Sequence, residues 1–361
     1  MVLQSLVSRK KQKAWSEAVR LSASNPQITQ YILSRYGKAI NAKFVSLLPI
    51  SPKTKYPQFF SNKRNLFTID PAANRLLCIN TDNGELRWAR NIGKLDESPA
   101  TANNDNILAI ASGYVLSIFD LTRDGAPATI QLPGKAFEAQ VFDNVIYVST
   151  WNGFLLKITA NDNKLIWSRK IFSVPFLTAK NGNQLHLSNL EGEIVTIDDS
   201  EGQVKEGSSR KIAGPVTHIA SADSILITAT SSNKLNLLNL KYNDRTPTQI
   251  LLESSVTSLS LVNDKNEQKL LIGLADQTIL LYTITGAPIW KFQGRNSVFT
   301  KPYVKDGEAW IDQGNEVVAI SLNDGNISRK FSTPGEAGTP FVTGHTLFCA
   351  SPKRLLYGFS L

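Results

Sequence analysis

The side chains best suited to catalysis or metal binding are three histidines, His186, His218 and His345, and one adjacent acid pair, Asp198 and Asp199. The histidines are 32 and 127 residues apart, a spacing that matches no metal-binding motif. We therefore expect structural histidines whose ring nitrogens are satisfied by hydrogen bonds. The acid pair lies in a predicted turn, where aspartate stabilises the local backbone, so it predicts a turn rather than two catalytic carboxylates.

The two cysteines, Cys78 and Cys349, are far apart in the sequence and form no Cys-x-x-Cys pair, which predicts neither a zinc site nor a disulfide framework. The chain also contains no Gly-x-Ser-x-Gly, Walker A or Gly-x-Gly-x-x-Gly motif. This shortage of nucleophile, base and phosphate-binding patterns predicts a protein that is not an enzyme, uses no cofactor and has no small-molecule substrate.

The positive charge of the chain is concentrated in its N-terminal part. The net charge is +9, but residues 1–64 carry twelve basic side chains and one acid, whereas residues 65–361 carry 27 basic and 29 acidic side chains. Asymmetry of this kind predicts an acidic partner for the N-terminal segment. An acidic protein surface, an anionic lipid or a nucleic acid would fit, and a solvated basic face without a partner is the alternative.

Residues 1–42 are interpreted as a basic helical arm. A first helix has an apolar stripe at i, i+3, i+4 and i+7 that starts at Trp15, and a second helix is predicted to end at Gly37, with Tyr31 and Ile32 on its apolar face. Short helices of this kind need a surface on which to dock. The side chains predicted to bind the partner are those of Arg9, Lys10, Lys11, Lys13, Trp15, Arg20, Arg35 and Lys38.

The same segment bears on localisation. No apolar run approaches the roughly 18 residues of a membrane-spanning helix, and the N-terminal segment lacks the apolar core of a secretory signal. These features predict a protein in the cytoplasm or on the cytoplasmic face of a complex. Export to the periplasm by another route is the alternative, and the basic, serine-containing start also leaves an organellar transit peptide open.

An internal repeat of about 40 residues runs through residues 65–361. Each copy has an apolar strand, a tight turn, a second strand, a Gly or Asn turn and a further strand that ends in Trp in three copies. The turn before that last strand falls at Gly84, Gly125, Asn163, Gly202, Arg245, Gly286 and Gly325, in steps of 38 to 43 residues. Short strands at this period are typical of β-propeller blades.

The final repeat has only two of these strands, at residues 347–350 and 355–359. One period before Gly84 lies another apolar strand, at residues 44–48. We therefore predict an all-β, eight-bladed β-propeller over residues 43–361, in which residues 43–49 complete blade eight and remove the open sheet edge. Seven blades with a loose N-terminal tail is the alternative.

Residues 76–88 and 317–325 resemble the blade of the PQQ-like repeat β-propeller family, and weaker copies extend the resemblance over residues 65–361. In that family a Trp four residues after the turn packs between neighbouring blades. Trp88, Trp167 and Trp290 occupy this position here, so the resemblance implies a structural inter-blade role for them. The other blades carry Thr129, Glu206, Gln249 and Arg329 instead.

The family contains quinoprotein dehydrogenases, which hold PQQ against a vicinal disulfide and calcium, and the chain has no adjacent cysteine pair. The resemblance is thus to the non-catalytic branch, which includes the propeller lipoprotein of the outer-membrane barrel assembly machinery. It implies a scaffold or adaptor that binds proteins of a multi-subunit complex and is tethered by the arm. The alternatives are nucleic-acid or anionic-membrane binding through the arm, an outer-membrane protein assembly role and a quinoprotein-type enzyme.

Overall fold

A computed structural model describes residues 31–35, 38, 40–54, 57–62, 64–123, 125–241, 246–264, 267–295, 301–333, 336–352 and 354–361. The described strands form eight four-stranded antiparallel sheets. In seven sheets the strands follow chain order, as A, B, C and D, and each pairs with the next. The fold is an eight-bladed β-propeller, which confirms the fold predicted from the repeat.

The chain divides into two compact units, and the first contains blades one, seven and eight except for residues 322–325. Its strands are, in blade one, β2 (Phe59–Asn62), β3 (Asn65–Asp70), β4 (Arg75–Asn80) and β5 (Leu86–Asn91); in blade seven, β26 (Tyr303–Lys305), β27 (Glu308–Asp312), β28 (Glu316–Ser321) and β29 (Ile327–Ser332); and in blade eight, β30 (Phe341–Thr343), β31 (Thr346–Ala350), β32 (Leu355–Ser360) and β1 (Phe44–Leu47). A 3-10 turn, Pro71–Ala73, joins β3 to β4.

The second unit contains blades two to six. Its strands are, in blade two, β6 (Ala100–Asn103), β7 (Ile107–Ser112), β8 (Val115–Asp120) and β9 (Ala128–Gln131); in blade three, β10 (Ala136–Phe142), β11 (Val145–Thr150), β12 (Phe154–Thr159) and β13 (Leu165–Lys170); in blade four, β14 (Phe176–Asn181), β15 (Gln184–Asn189), β16 (Glu193–Asp198) and β17 (Arg210–Lys211); in blade five, β18 (Val216–Ala222), β19 (Ile225–Thr230), β20 (Lys234–Asn239) and β21 (Thr248–Leu251); and in blade six, β22 (Val256–Asp264), β23 (Glu267–Leu274), β24 (Thr278–Thr283) and β25 (Pro288–Gln293).

Strands B and C of each blade supply the core. All six residues of β7 are buried, and four consecutive residues of β4 are buried, because these strands are covered on both faces. Strand D instead alternates, as in β25, where half-buried and exposed residues follow each other. This difference explains why the B and C strands are continuous apolar runs in the sequence.

Blade eight is completed by the N-terminal strand, as the repeat predicts. β1 is the D strand of this blade and pairs antiparallel with β32, with Phe44 opposite Gly358. Phe44 is thereby placed at the D-strand position that Trp occupies in three other blades. Its ring fills the space beside two glycines, since a Cβ would lie 2.4 Å from it at Gly358 and 2.3 Å from it at Gly84.

The predicted basic helical arm is not supported by the described residues. Residues 31–35 and 38 are helical, and the predicted first helix lies outside the described residues. Of the predicted apolar face, Ile32 packs against a core cluster but Tyr31 is 63% exposed. Leu33, outside that predicted face, is buried in the same cluster with Trp310 of blade seven. Lys38 is also helical, one residue beyond Gly37, where the sequence predicts the end. The docking surface of blades seven and eight, rather than helical periodicity, determines which face is buried.

Blade four departs from the repeat after its predicted turn at Gly202. The turn is present, since Gly202 has φ +69° and its N–H donates to the Asp198 carbonyl. Val204 then makes a single bridge to Ile197, and the two-residue strand β17 forms only at Arg210. The spacing of the repeat predicts Glu206 within a D strand, but Glu206 lies outside one. The turn predicted at Arg245 lies outside the described residues.

Candidate protein-interaction surface

Three neighbouring blades of the second unit present a large apolar side chain on the loop between strands B and C. Tyr114 of blade two is 58% exposed, Trp151 of blade three 51% and Leu190 of blade four 38%. Phe137, near the start of strand A in blade three, contacts Trp151 edge to face with ring centroids 5.2 Å apart. We call Tyr114, Phe137, Trp151 and Leu190 the loop patch. Exposed aromatic groups without a local structural reason are typical of interaction sites.

The loop that carries Tyr114 is held by its neighbours. Asp96, which precedes blade two, donates its N–H to Ser112 Oγ at 2.6 Å and accepts the Gly113 N–H at 3.1 Å. The carbonyl of Tyr114 accepts the Leu132 N–H at 2.8 Å. Tyr114 is therefore fixed at the tip of a short hairpin although its ring faces solvent.

Trp151 is fixed in the same way. Its N–H donates to the Lys135 carbonyl at 2.8 Å. Lys135 lies in the connector between blades two and three, and the next residue, Ala136, donates its N–H to the Gly113 carbonyl at 2.7 Å. This connector ties the loop of blade two to that of blade three. Gly153 completes the turn with φ +83°, where a Cβ would lie 2.0 Å from the Phe172 carbonyl oxygen.

The loop of Leu190 is built around one asparagine. Asn189 Oδ1 accepts the N–H groups of Glu191 and Glu193 at 3.0 and 2.9 Å, and its Nδ2 donates to Glu193 Oε2 at 2.8 Å. Gly192 follows with φ +81°, and a Cβ there would lie 2.4 Å from the Ile212 carbonyl oxygen. All three loops are thus preorganised, which lowers the entropy lost when they bind.

Apolar residues exposed elsewhere in the described part of the chain are arranged differently. They lie mainly on D strands or next to them, as with Leu86, Ile289 and Ile327, and no more than two of them share a strand. Single apolar side chains of this kind are ordinary on protein surfaces. The loop patch differs because equivalent loops of consecutive blades carry it.

Comparison with solved structures shows the fold. The chain is similar to Saccharomyces cerevisiae Sqt1, with a TM-score of 0.67, 14% identity and coverage of 85% of this chain and 96% of that chain. It is similar to BamB from Moraxella catarrhalis, with a TM-score of 0.55, 16% identity and coverage of 84% and 96%. The dihydro-heme d1 dehydrogenase NirN, in complex with DHE, matches with a TM-score of 0.65, 13% identity and coverage of 87% and 74%.

The shared feature is the propeller. No protein-family profile matches the chain, and no curated protein sequence matches it. At identities of 13–16% the three structures support the fold and not a shared activity. The PQQ-like family assignment made from the repeat therefore stays a prediction.

Most residues predicted to bind a partner through the arm lie outside the described residues: Arg9, Lys10, Lys11, Lys13, Trp15 and Arg20. Arg35 and Lys38 are described and exposed. The Arg35 guanidinium lies over the Tyr31 ring, 5.8 Å from its centroid. Among the described residues, no helix has the length and hydropathy needed to span a bilayer.

Two of the three repeat tryptophans bond to the following blade. Trp167 is 5% exposed and its Nε1 donates to the Asp199 carbonyl at 3.1 Å, while Trp290 Nε1 donates to the Leu322 carbonyl at 3.0 Å. The turn glycine that follows each carbonyl allows the approach, because a Cβ at Gly202 would lie 2.9 Å from the Trp167 indole. The first contact links blade three to blade four, and the second joins Trp290 to residues 322–325 of the same compact unit.

Trp88, the third of these tryptophans, is half-buried and packs within its own blade. Its ring lies 6.1 Å from Phe67, centroid to centroid, and the Arg90 guanidinium stacks over it at 4.7 Å. A cation held against an indole face in this way stabilises the strand end.

Asp199, expected from the sequence to be a turn residue, is the centre of a buried polar cluster. Its carboxylate accepts from Lys157 Nζ at 2.9 Å, Lys180 Nζ at 2.6 Å and the Tyr147 hydroxyl at 2.5 Å. Burial opposes ionisation, but the hydrogen bonds from Lys180, Tyr147 and Lys157 outweigh it and lower the pKa of Asp199. Burial and the bond to Asp199 raise the pKa of Tyr147.

The members of this cluster satisfy one another, which indicates a structural role in joining blade three to blade four. Asp198 beside it does form the predicted turn, since its Oδ1 accepts the Ser200 N–H at 2.8 Å. Sequence reasoning missed the cluster because Lys157 and Lys180 are 42 and 19 residues from Asp199.

Glu138 is a second acid that the sequence does not single out. Its two carboxylate oxygens accept from Gln140 Nε2 at 3.0 Å and from the Thr178 N–H at 2.9 Å. Burial nevertheless raises the pKa of Glu138 to about 7, against bonds from Gln140 and Thr178 that lower it. Ionisation of this carboxyl therefore opposes folding near neutral pH.

Replacement of Glu138 by glutamine is expected to stabilise the protein at high pH. The pKa of Glu138 is about 7 in the folded protein and 4.5 in the unfolded chain. The stability that this difference provides is fully present below pH 4.5, where the carboxyl is protonated in both states. It is lost as the pH rises through 7 and the buried carboxyl ionises. Urea unfolding should be measured at about pH 5 and about pH 8. The free energy of unfolding of the variant, relative to that of the wild type, should be greater at the higher pH. An equal difference at both pH values would contradict the assignment.

The expectation of satisfied structural histidines fails for His186. His186 is buried, its Nδ1 lies 2.9 Å from Thr196 Oγ1, and its Nε2 has no hydrogen-bond partner. His218 is half-buried with Nδ1 3.1 Å from Thr217 Oγ1, and burial is the main cause that lowers its pKa. His345 is exposed. No group of three or more His, Cys, Asp or Glu side chains able to hold a metal occurs among the described residues.

Proposed function

We propose that this chain is a non-catalytic scaffold that binds protein partners through the loop patch. The observation that carries the proposal is the row of exposed, preorganised apolar side chains at equivalent loops of three consecutive blades, Tyr114, Trp151 and Leu190. Tyr and Trp dominate the energetics of protein interfaces because they bury a large area at low entropic cost. Loops held by a rigid sheet scaffold are the usual carriers of such sites.

The basic N-terminal segment would provide a second attachment. Residues 1–64 account for the net positive charge of the chain, and Leu33 packs on the core of blades seven and eight. In this proposal the segment contacts an acidic partner while the loop patch contacts a second surface, so that the propeller holds both within one assembly. Contact of the segment with nucleic acid or anionic lipid is the alternative, and its affinity would fall steeply with salt.

The PQQ-like resemblance agrees with this proposal. The non-catalytic members of that family use the propeller without a reaction centre, and the lack of an adjacent cysteine pair in this sequence supports a likeness to them. A role in outer-membrane protein assembly is one form that the scaffold function could take.

The double replacement Tyr114→Ser with Trp151→Ser is expected to abolish partner recovery without affecting the fold. Loss of an interface hot spot costs at least about 2 kcal/mol, or roughly 30-fold in affinity. Tagged wild type and variant should be compared by quantitative affinity purification with mass spectrometry and by thermal unfolding.

The matched control is Leu251→Ser, which removes an apolar side chain that is 75% exposed on strand D of blade five. Partner recovery should be unchanged in this control. Deletion of residues 1–30 separates the two attachments, because it should release only the partner of the basic segment. Equal recovery with wild type and the double variant would exclude the loop patch as the binding surface.

A further inference from the structure

The displaced D strand of blade four leaves a cavity between blades four and five. The cavity has a volume of about 240 Å³, and its lining includes His186, Thr196, Lys205, Glu206, Arg210 and Lys241. In the place of a regular D strand, the Ser208 hydroxyl accepts the Thr196 N–H at 3.1 Å and donates to the Lys205 carbonyl at 2.6 Å. The departure from the repeat is therefore stabilised by its own hydrogen bonds.

The cavity wall contains a buried polar group without a partner. His186 is 1% exposed and its Nε2 makes no hydrogen bond. When the Thr196 hydroxyl donates to Nδ1, the proton of the neutral ring lies on Nε2, which leaves a donor unsatisfied. A buried donor of this kind destabilises the fold unless something accepts its hydrogen bond.

The charged side chains around the cavity are predominantly positive. Lys205, Arg210 and Lys241 carry three positive charges and Glu206 one negative charge. Burial, and then the charges of Arg210 and Lys205, lower the pKa of His186 to about 4, so the ring is neutral at pH 7. The surplus of two positive charges matches a dianion. At about 240 Å³ the cavity is smaller than the roughly 300–1,000 Å³ of drug-sized ligand sites, which favours a small ligand.

We propose that this cavity binds a phosphate group, either free or as the monoester of a small molecule. Its oxygens accept hydrogen bonds from the side chains of Lys205 and Arg210, His186 lies in the cavity wall, and Lys241 contributes charge. Phosphate combines a double negative charge with several acceptor oxygens and is small enough for this volume. This site lies in blades four and five and is independent of the loop patch.

The experiment follows the three imidazoles by NMR, because the chain has only three histidines. Inorganic phosphate, and separately O-phosphoserine as a monoester, should shift the His186 ring nitrogens with saturation and leave those of His345 unchanged. The variant His186→Gln assigns the resonance. Sodium chloride at equal ionic strength should cause no saturable shift.

The substitution Lys205→Gln should weaken binding about tenfold, as expected when one charge-assisted bond is lost. The matched control is Lys211→Gln, a neighbouring exposed lysine that does not line the cavity. Saturation by the monoester alone would identify the ligand as an esterified phosphate, and saturation by both would identify the phosphate group itself. Absence of a saturable shift with either, or equal weakening by the two lysine substitutions, would overturn the proposal.

Discussion

Replacement of Asp199 by alanine is expected to lower the free energy of unfolding by about 3–5 kcal/mol. The substitution leaves Lys157 and Lys180, whose side chains are 12% and 19% exposed, without their counterion. It also removes the acceptor of the buried Tyr147 hydroxyl. An unpaired charge in such surroundings is costly even though Lys157 Nζ keeps its hydrogen bond to the carbonyl of residue 199 and Lys180 Nζ keeps its bond to the Tyr147 hydroxyl.

Urea or guanidinium unfolding measures this loss directly. The matched control is Asp198→Ala, which removes the same type of side chain one position earlier in an exposed turn. It should cost much less, since it removes only the hydrogen bonds that Asp198 Oδ1 accepts from the Ser200 N–H and hydroxyl. Asp199→Asn should fall between the two, because it retains an acceptor but loses the charge. Comparable losses for the two alanine substitutions would show that the cluster around Asp199 carries no special stability.

Replacement of Phe44 by alanine is the second large expected effect. The Phe44 ring is half-buried, lies 6.0 Å from the Phe348 ring and fills the space beside Gly358. Truncation of a core Phe costs about 3–5 kcal/mol, and the partial exposure of this ring places the expectation near 3 kcal/mol. Leu47→Ala removes an exposed side chain of the same strand and should cost less than about 1 kcal/mol.

A double-mutant cycle tests the mechanism. Gly358→Ala alone would place a methyl group 2.4 Å from the Phe44 ring and should be destabilising. In the Phe44→Ala background the same methyl group has space, so the two losses should be less than additive. Additive losses would show that Phe44 and Gly358 do not fill the same space.

The repeat architecture was predictable because its signals are local. The turns at Gly84, Gly202, Gly286 and Gly325 have positive φ values, a conformation for which glycine is the natural choice. The apolar runs of strands B and C are equally local. The A strands, such as β6, were not singled out in the sequence, because their half-buried residues form no continuous apolar run.

The features that depend on distant residues could not be predicted. Leu33 rather than Tyr31 is buried because of the surface on which the helical segment docks. The unpartnered Nε2 of His186 follows from the displaced end of blade four, which the spacing of turns does not reveal. The sequence predicts that Phe44 lies in a strand. That it occupies the Trp position of a D strand follows only from its pairing with Gly358.

The sequence contains one signal of the loop patch. Trp151 stands in a turn before Asn152 and Gly153, where a large aromatic residue has no local structural advantage. A bulky side chain at a predicted turn is therefore evidence of contact with something outside the local backbone. Here the pattern extends to the equivalent loops through Tyr114 and Leu190.

The pairing of β1 with β32 also constrains how the protein is made. Val45 must wait for Tyr357, about 310 residues later, and at about 5–20 residues per second this interval is roughly 15–60 s on the ribosome. Until β32 has been synthesised, the apolar strand β1 has no sheet partner and blade eight is incomplete. We expect a nascent chain that stays open to chaperones until residues 355–360 emerge, and a late, slow step when blade eight forms.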